Sequence, residues 1–164
     1  MRGTGRSGGA FGVWHDSVND AYDTLDWIAN QTWTNGEVFV TGVSADGIDA
    51  AMSISNPHPS LRAQVLIFVT AQAWETFYPG GAYRDALIDG WLESTVRSQA
   101  GAIIPFVHKQ ENPALPWWTP VNGTLWYGNV KWPTIHWAGW YDIFEEFVGA
   151  PRARSAPALP RTRP

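Results

Sequence analysis

The sequence predicts an α/β fold with a mainly parallel sheet, on three observations. A β-branched run, Glu37-Val38-Phe39-Val40-Thr41, leads through Gly42-Val43-Ser44-Ala45-Asp46-Gly47 into the small residues Ile48-Asp49-Ala50-Ala51-Met52. After a proline stop comes a second apolar run, Ala63-Gln64-Val65-Leu66-Ile67-Phe68-Val69, of the continuous kind that parallel strands show when both faces are covered. Strand, helix and strand in this order imply a parallel pair joined by a right-handed crossover.

The elements follow in order. Met1 to Gly9 is glycine-rich and reads as a loop whose arginines, Arg2 and Arg6, pair with nearby carboxylates. Asn19 or Asp20 caps a helix over 21–29, with Tyr22, Leu25, Ile28 and Ala29 on one face for packing on the sheet. Thr34-Asn35-Gly36 turns into the first strand. A helix from Gly47 to Met52 ends before Asn56-Pro57-His58-Pro59, and the second strand follows. From about 70 to 130 the regularity is lost. One helix, Tyr83 to Ala100, precedes proline- and tryptophan-rich loops such as Pro113-Ala114-Leu115-Pro116-Trp117-Trp118. An insertion between sheet strands is where a lid belongs. The sheet pattern resumes over 132–139 and runs into Trp140-Tyr141-Asp142, a carboxylate at the strand edge where ligand sites of parallel sheets lie. Phe144 to Val148 reads as a helix start. Residues 149–164 hold four arginines and four prolines and almost no apolar bulk. They fit a flexible, disordered basic tail, or an Arg/Pro/Ala-rich frame translated out of register, which the abrupt break favours.

Composition narrows the function. At 164 residues the chain is one domain with room for a core. A net charge of −4 without a basic stripe argues against nucleic acid as a partner. No apolar run approaches the ~20 residues of a membrane span, and Met1 to Gly9 is no signal peptide. The sequons at Asn30 and Asn122 matter only in a secreted protein, so compartment and oligomeric state stay open. There is no cysteine. Asp46 and Asp49 read as first-turn carboxylates favoured by the helix dipole, and Asp85 and Asp89 as a solvated pair. Neither pair has histidine at ligand spacing, so no metal is expected. Without a Gly-x-Gly-x-x-Gly turn no cofactor is expected either. Eleven tryptophans make either a large aromatic core or the lining of an apolar pocket.

The chemistry resides in residues 42–47. A serine on a tight strand-to-helix turn, flanked by glycines where a side chain would clash, is the nucleophile elbow of an α/β-hydrolase. Ser44 is the candidate nucleophile, and the Ala45 backbone N–H is a candidate oxyanion donor. A full hydrolase sheet with a lid takes ~250 residues, so a partial fold is expected.

Four segments together resemble the cocaine esterase/X-Pro dipeptidyl peptidase group of serine hydrolases, which includes α-amino-acid ester hydrolases and glutaryl-cephalosporin acylases. They are Arg2 to Gly9, Tyr22 to Gly36, Gly42-Val43-Ser44-x-x-Gly47, and Gly139-Trp140-Tyr141-Asp142-Ile143-Phe144. Pro79-Gly80-Gly81-Ala82-Tyr83-Arg84 is also similar to a segment beyond the family's elbow. The resemblance covers roughly residues 2 to 148. It implies that residues 1–148 are a fragment of a hydrolase catalytic domain, with the lid insertion at about 70–130. It implies Asp142 as the triad acid and an ester, amide or peptide as the substrate. Ala45 stands where the family usually has a tyrosine, and the family's second oxyanion donor, a tyrosine from a loop before Arg2, has no counterpart here. The chain order Ser, Asp, His puts the base after Asp142, and no histidine follows it. His58 and His108 read as surface or packing residues. His136 lies where the family often carries a noncatalytic histidine, and His15 is the sole conceivable substitute. The expectation is a truncated serine hydrolase without its catalytic histidine. The alternative is a non-catalytic, aromatic-rich binding module or an inactive fragment.

Overall fold

Three parallel strands organise the molecule. The structure, a computed structural model, describes residues 1–144. The elements are α1 (Ser17–Ala29), β1 (Val38–Val43), α2 (Ser44–Met52), β2 (Leu61–Ile67), α3 (Ala73–Phe77), α4 (Asp85–Val96), α5 (Ala100–Val107) and β3 (Thr134–Trp137), with short 3-10 turns between them. The sheet order is β1-β2-β3 and both pairings are parallel. The α/β class read from the sequence is the class observed.

The register sorts side chains onto two faces, because alternate residues of a strand point to opposite sides. Gly42 sits opposite Leu66, which sits opposite His136. On this side α2 packs against β1 and β2, and α1 packs against α2. Ile48, Ala51 and Met52 of α2 join Leu66 and Val69 in a core shared with Trp14, Phe77, Leu92 and Trp118. Leu25, Val38 and Leu61 form a second cluster beneath α1. Gln64, buried in the middle of β2, donates to the Ala50 carbonyl (3.1 Å) and Ser53 Oγ (3.0 Å) and accepts from Trp132 Nε1 (3.0 Å). A buried amide with those partners carries no desolvation penalty.

The other face departs from expectation. Val43, Ile67 and Trp137 align across the sheet, as do Thr41, Val65 and Ile135. Phe39 (70% exposed), Ile135 (61%) and Trp137 (64%) stand open to solvent. The apolar runs therefore do not mean that both faces are covered among the described residues.

Element ends also shift. The first helix begins at Ser17, with Asp16 before it and no side-chain cap, rather than behind Asn19 or Asp20. β1 continues to Val43, and the next helix begins on Ser44 itself. β2 starts at Leu61 and stops at Ile67. The helix expected over 83–100 is two helices, broken where Arg97 adopts a left-handed φ of 44°. That break delivers Gln99 to the opening loop, where its side chain accepts from Phe11 N–H (3.2 Å) and donates to the Gly3 carbonyl (3.0 Å). A tertiary demand of this kind overrides helix propensity. The expected pairing of Arg2 with a carboxylate occurs, on Asp20. The tail of 149–164 and the helix start beyond Phe144 lie outside the described residues.

Candidate active site

Two glycines make the strand-to-helix turn possible. A Cβ on Gly47 would stand 2.2 Å from Val69 Cγ1 and 2.7 Å from the Gly42 carbonyl oxygen, and a Cβ on Gly42 would meet backbone of Asp46 and Gly47 at 2.7 Å. With neither side chain present, strand and helix close to backbone contact, and Ser44 takes up the bend with a φ of +54°. A non-glycine residue in that region is strained by about 1–3 kcal/mol, and such strain concentrates at functional sites. Ser44 is exposed at the tip of the turn.

Helix α2 starts at this serine with no side chain capping it. The first N–H groups of a helix have no intrahelical acceptor, and the Ala45 N–H stands in the first turn of α2, at the positive end of its dipole. Trp14 steadies this first turn. Its Nε1 donates to the Ala45 carbonyl (3.1 Å), and its ring stacks on Trp91 (centroids 4.9 Å apart, planes at 14°). Nothing in the sequence near residue 14 signalled this, because the contact spans 31 residues.

Asp142 lies beyond β3. The ladder aligns Val43, Ile67 and Trp137 at the carboxyl ends of the three strands. Ser44 directly follows the carboxyl end of β1, and Asp142 lies in a turn five residues past the carboxyl end of β3, two strands away in the sheet order. The Asp142 N–H donates to the Gly139 carbonyl (3.2 Å), and its Oδ1 accepts from the Phe144 N–H (3.0 Å). Its Oδ2 is buried with no hydrogen-bond partner among the described residues. A buried carboxylate oxygen without a donor is costly, and Asp142 shares this state with His15 Nε2, Thr76 Oγ1 and Thr134 Oγ1 among the described residues.

The histidines are distributed otherwise. His58 precedes β2 at the opposite, amino edge of the sheet, where its Nδ1 meets Ser60 Oγ (2.7 Å) and its Nε2 lies 3.5 Å from Asp26. His108 is bound to Asp89 (3.0 Å) between α5 and α4. Asp89 also accepts from Tyr83 Oη (2.7 Å), so it is a half-buried bridging group and not the solvated one the sequence suggested. The same contact, with burial, pushes the Tyr83 phenol up. His15 packs its ring on Trp117 (4.7 Å), and burial pushes its pKa down. His136 lies within β3, opposite Leu66.

A cavity of about 780 Å³ lies beside β1 and α1, and Trp14 is the one tryptophan in its lining. Most of the other tryptophans pack in the core or stand on the surface. Asp49 faces that cavity; burial raises its pKa, against a hydrogen bond from Ser17 that lowers it. Exposed Asp46 occupies the first turn of α2. Among the described residues no group of three or more His, Asp or Glu side chains is placed to hold a metal ion. No described helix is long and apolar enough to cross a membrane.

A glycine-flanked, strained serine between a parallel strand and a helix defines the class of serine hydrolases with an α/β sheet. The sequence profile of the X-Pro dipeptidyl-peptidase (S15) family matches residues 1–104, and the chain belongs to that family. Among curated relatives, a provisionally named serine esterase of Mycobacterium bovis (strain ATCC BAA-935 / AF2122/97) is 34% identical over 94 residues. A cocaine esterase of Rhodococcus sp. (strain MB1 Bresler) is 33% identical over 92. These matches take in 56% and 55% of this chain but 15% and 16% of the relatives. A solved α-amino acid ester hydrolase superposes with a TM-score of 0.67 at 21% identity, over 88% of this chain and 32% of the other. An aminopeptidase from a marine sediment archaeon (Thaumarchaeota archaeon) gives 0.65 at 21%, over 85% and 31%. These likenesses establish the fold. The chain thus belongs to a family that includes hydrolases, is similar to proteins named as esterases, and spans about a sixth of the curated relatives' length.

Proposed function

We propose that this chain carries the nucleophile and the acid of an acyl-transfer site acting on esters or amides. Ser44 Oγ attacks the substrate carbonyl, the ester or amide bond breaks and the alcohol or amine leaves protonated, and water then hydrolyses the acyl-enzyme to free the acid and Ser44. The Ala45 N–H holds the oxyanion of each tetrahedral intermediate. Asp142 Oδ2 accepts the Nδ1–H of an imidazole and so fixes the tautomer that takes the Ser44 proton. No histidine follows Asp142 in these 164 residues, so the test below supplies the imidazole. Residues 70–130 act as the lid, and the substrate is a small ester, amide or peptide.

One pair of observations supports this reading: Ser44, right after β1, is exposed and strained, and Asp142, in the turn after β3, holds a buried carboxylate oxygen without a donor among the described residues. The aromatic-binding alternative gains little, because the tryptophans serve the core and the surface more than the cavity. The test is initial-rate hydrolysis of p-nitrophenyl butyrate with imidazole added as an exogenous base, corrected for imidazole alone. Ser44→Ala should abolish the protein-dependent rate. Asp142→Asn should lower it on the order of 10²-fold or more, in line with its role in orienting the base. A rate indifferent to Ser44→Ala would sink the proposal.

A further inference from the structure

The motif Pro79-Gly80-Gly81-Ala82-Tyr83-Arg84 takes no part in the chemistry above, yet its last residue reaches the segment that carries the acid. Gly80 and Gly81 have left-handed φ values of 61° and 88°, and the Gly81 N–H closes the turn onto the Tyr78 carbonyl (2.9 Å). The chain then doubles back, and the Arg84 N–H bonds the Phe77 carbonyl (2.9 Å) at the buried end of α3. From this fixed base Arg84 Nη1 donates to the Ile143 carbonyl (3.0 Å). Ile143 is the residue between Asp142 and Phe144, so the guanidinium grips the Asx turn in which Asp142 Oδ1 accepts from the Phe144 N–H.

Among the described residues, few other contacts hold this segment in place. Trp140 is 90% exposed and Tyr141 is 99% exposed, so neither anchors the backbone by packing. Phe144 is buried and pins one end in the core. The Asp142 N–H bond to Gly139 is local and moves with the turn.

We propose that Arg84 is the positioning residue for the Asp142 carboxylate. Holding the Ile143 carbonyl keeps Oδ1 on the Phe144 amide and presents Oδ2 to its partner. The anchoring stands on geometry alone, while its catalytic consequence rests on Asp142 being the triad acid. The Pro79–Arg84 motif thereby joins the insertion to the sheet edge that carries the acid.

Amide hydrogen exchange on the whole chain tests this. In Arg84→Ala the Phe144 amide should exchange at least about tenfold faster, while sheet amides such as Gln64 and Phe68 keep their protection. Arg84→Lys should restore part of it, since an ammonium still donates to a carbonyl. Arg84→Gln serves as the neutral donor should the alanine variant fold poorly. Unchanged exchange at Phe144 overturns the proposal, and so does a loss of protection spread evenly over the sheet. In the imidazole-assisted assay, Arg84→Ala should lower kcat about tenfold with KM unchanged, and should add nothing in the Asp142→Asn background, because the two act through one group. An equal loss in both backgrounds overturns the positioning role. A rate insensitive to Asp142→Asn, with the Phe144 amide still freed by Arg84→Ala, rejects the triad reading and leaves the anchoring intact.

Discussion

The two faces of this sheet are built from similar residue types and meet opposite fates. On one, Leu66 is 3% exposed, Gly42 is buried and Gln64 is fully bonded under α2. On the other, Phe39, Val43, Ile135 and Trp137 stand in solvent with the same β-branched and aromatic character. The difference lies in the small and polar residues. The covered face has glycine where a helix must touch a strand and glutamine where two helix-end acceptors need a donor. The two glycines of the elbow belong to that face, and its geometry follows from α2 being pressed onto β1. The open face contributes bulk without specific fit, which in water favours association.

The comparison breaks most sharply at Gly47. Gly47→Ala places a methyl 2.2 Å from Val69 Cγ1 and against the Gly42 backbone, and should cost about 3 kcal/mol or more. Urea unfolding measures it. Leu66→Ala on the covered face should cost about 2–5 kcal/mol through the cavity it leaves. Phe39→Ser and Ile135→Thr on the open face should each stay within about 0.5 kcal/mol and reduce self-association in sedimentation velocity. Equal costs on both faces would mean that the open face is covered in solution.

Ser44→Gly sharpens the contrast from the other side. Releasing a side chain from φ +54° should raise stability by about 1 kcal/mol while removing the proposed nucleophile, so stability and chemistry should move in opposite directions. A destabilised Ser44→Gly would show that the bend is unstrained. The smallest effect concerns Asp49, whose carboxyl is raised above its ordinary value by burial. A group raised on folding contributes stability that is present below its unfolded pKa and is lost as pH rises through the folded value. Asp49→Asn should therefore raise the Tm at pH 7, and the gain should vanish in acid below the ordinary carboxylate range. A gain that is independent of pH would assign the effect to packing instead.

Local chemistry made the elbow legible in the sequence. Gly42 and Gly47 answer steric demands within six residues of each other, and the β-branched run before them can be little other than a strand. Asp142 was expected at a strand end, but β3 stops at Trp137 and Asp142 lies five residues further on, in a turn. What stayed hidden depends on partners distant in sequence. The break at Arg97 serves Gln99, which holds Gly3 and Phe11. Trp14 reaches Ala45, and Asp89 bridges Tyr83 and His108. The open face was unreadable because an apolar residue has the same letter whether or not anything covers it.

The central claim is that Ser44 is the reactive atom of this sheet edge. Peptide mapping by mass spectrometry, after brief exposure to p-nitrophenyl butyrate and imidazole, addresses it directly. The account predicts a butyryl adduct confined to the peptide holding Ser44, lost in Ser44→Ala and strongly reduced in Asp142→Asn. Adducts scattered over lysines and other serines, with Ser44 no richer than the rest, would contradict it.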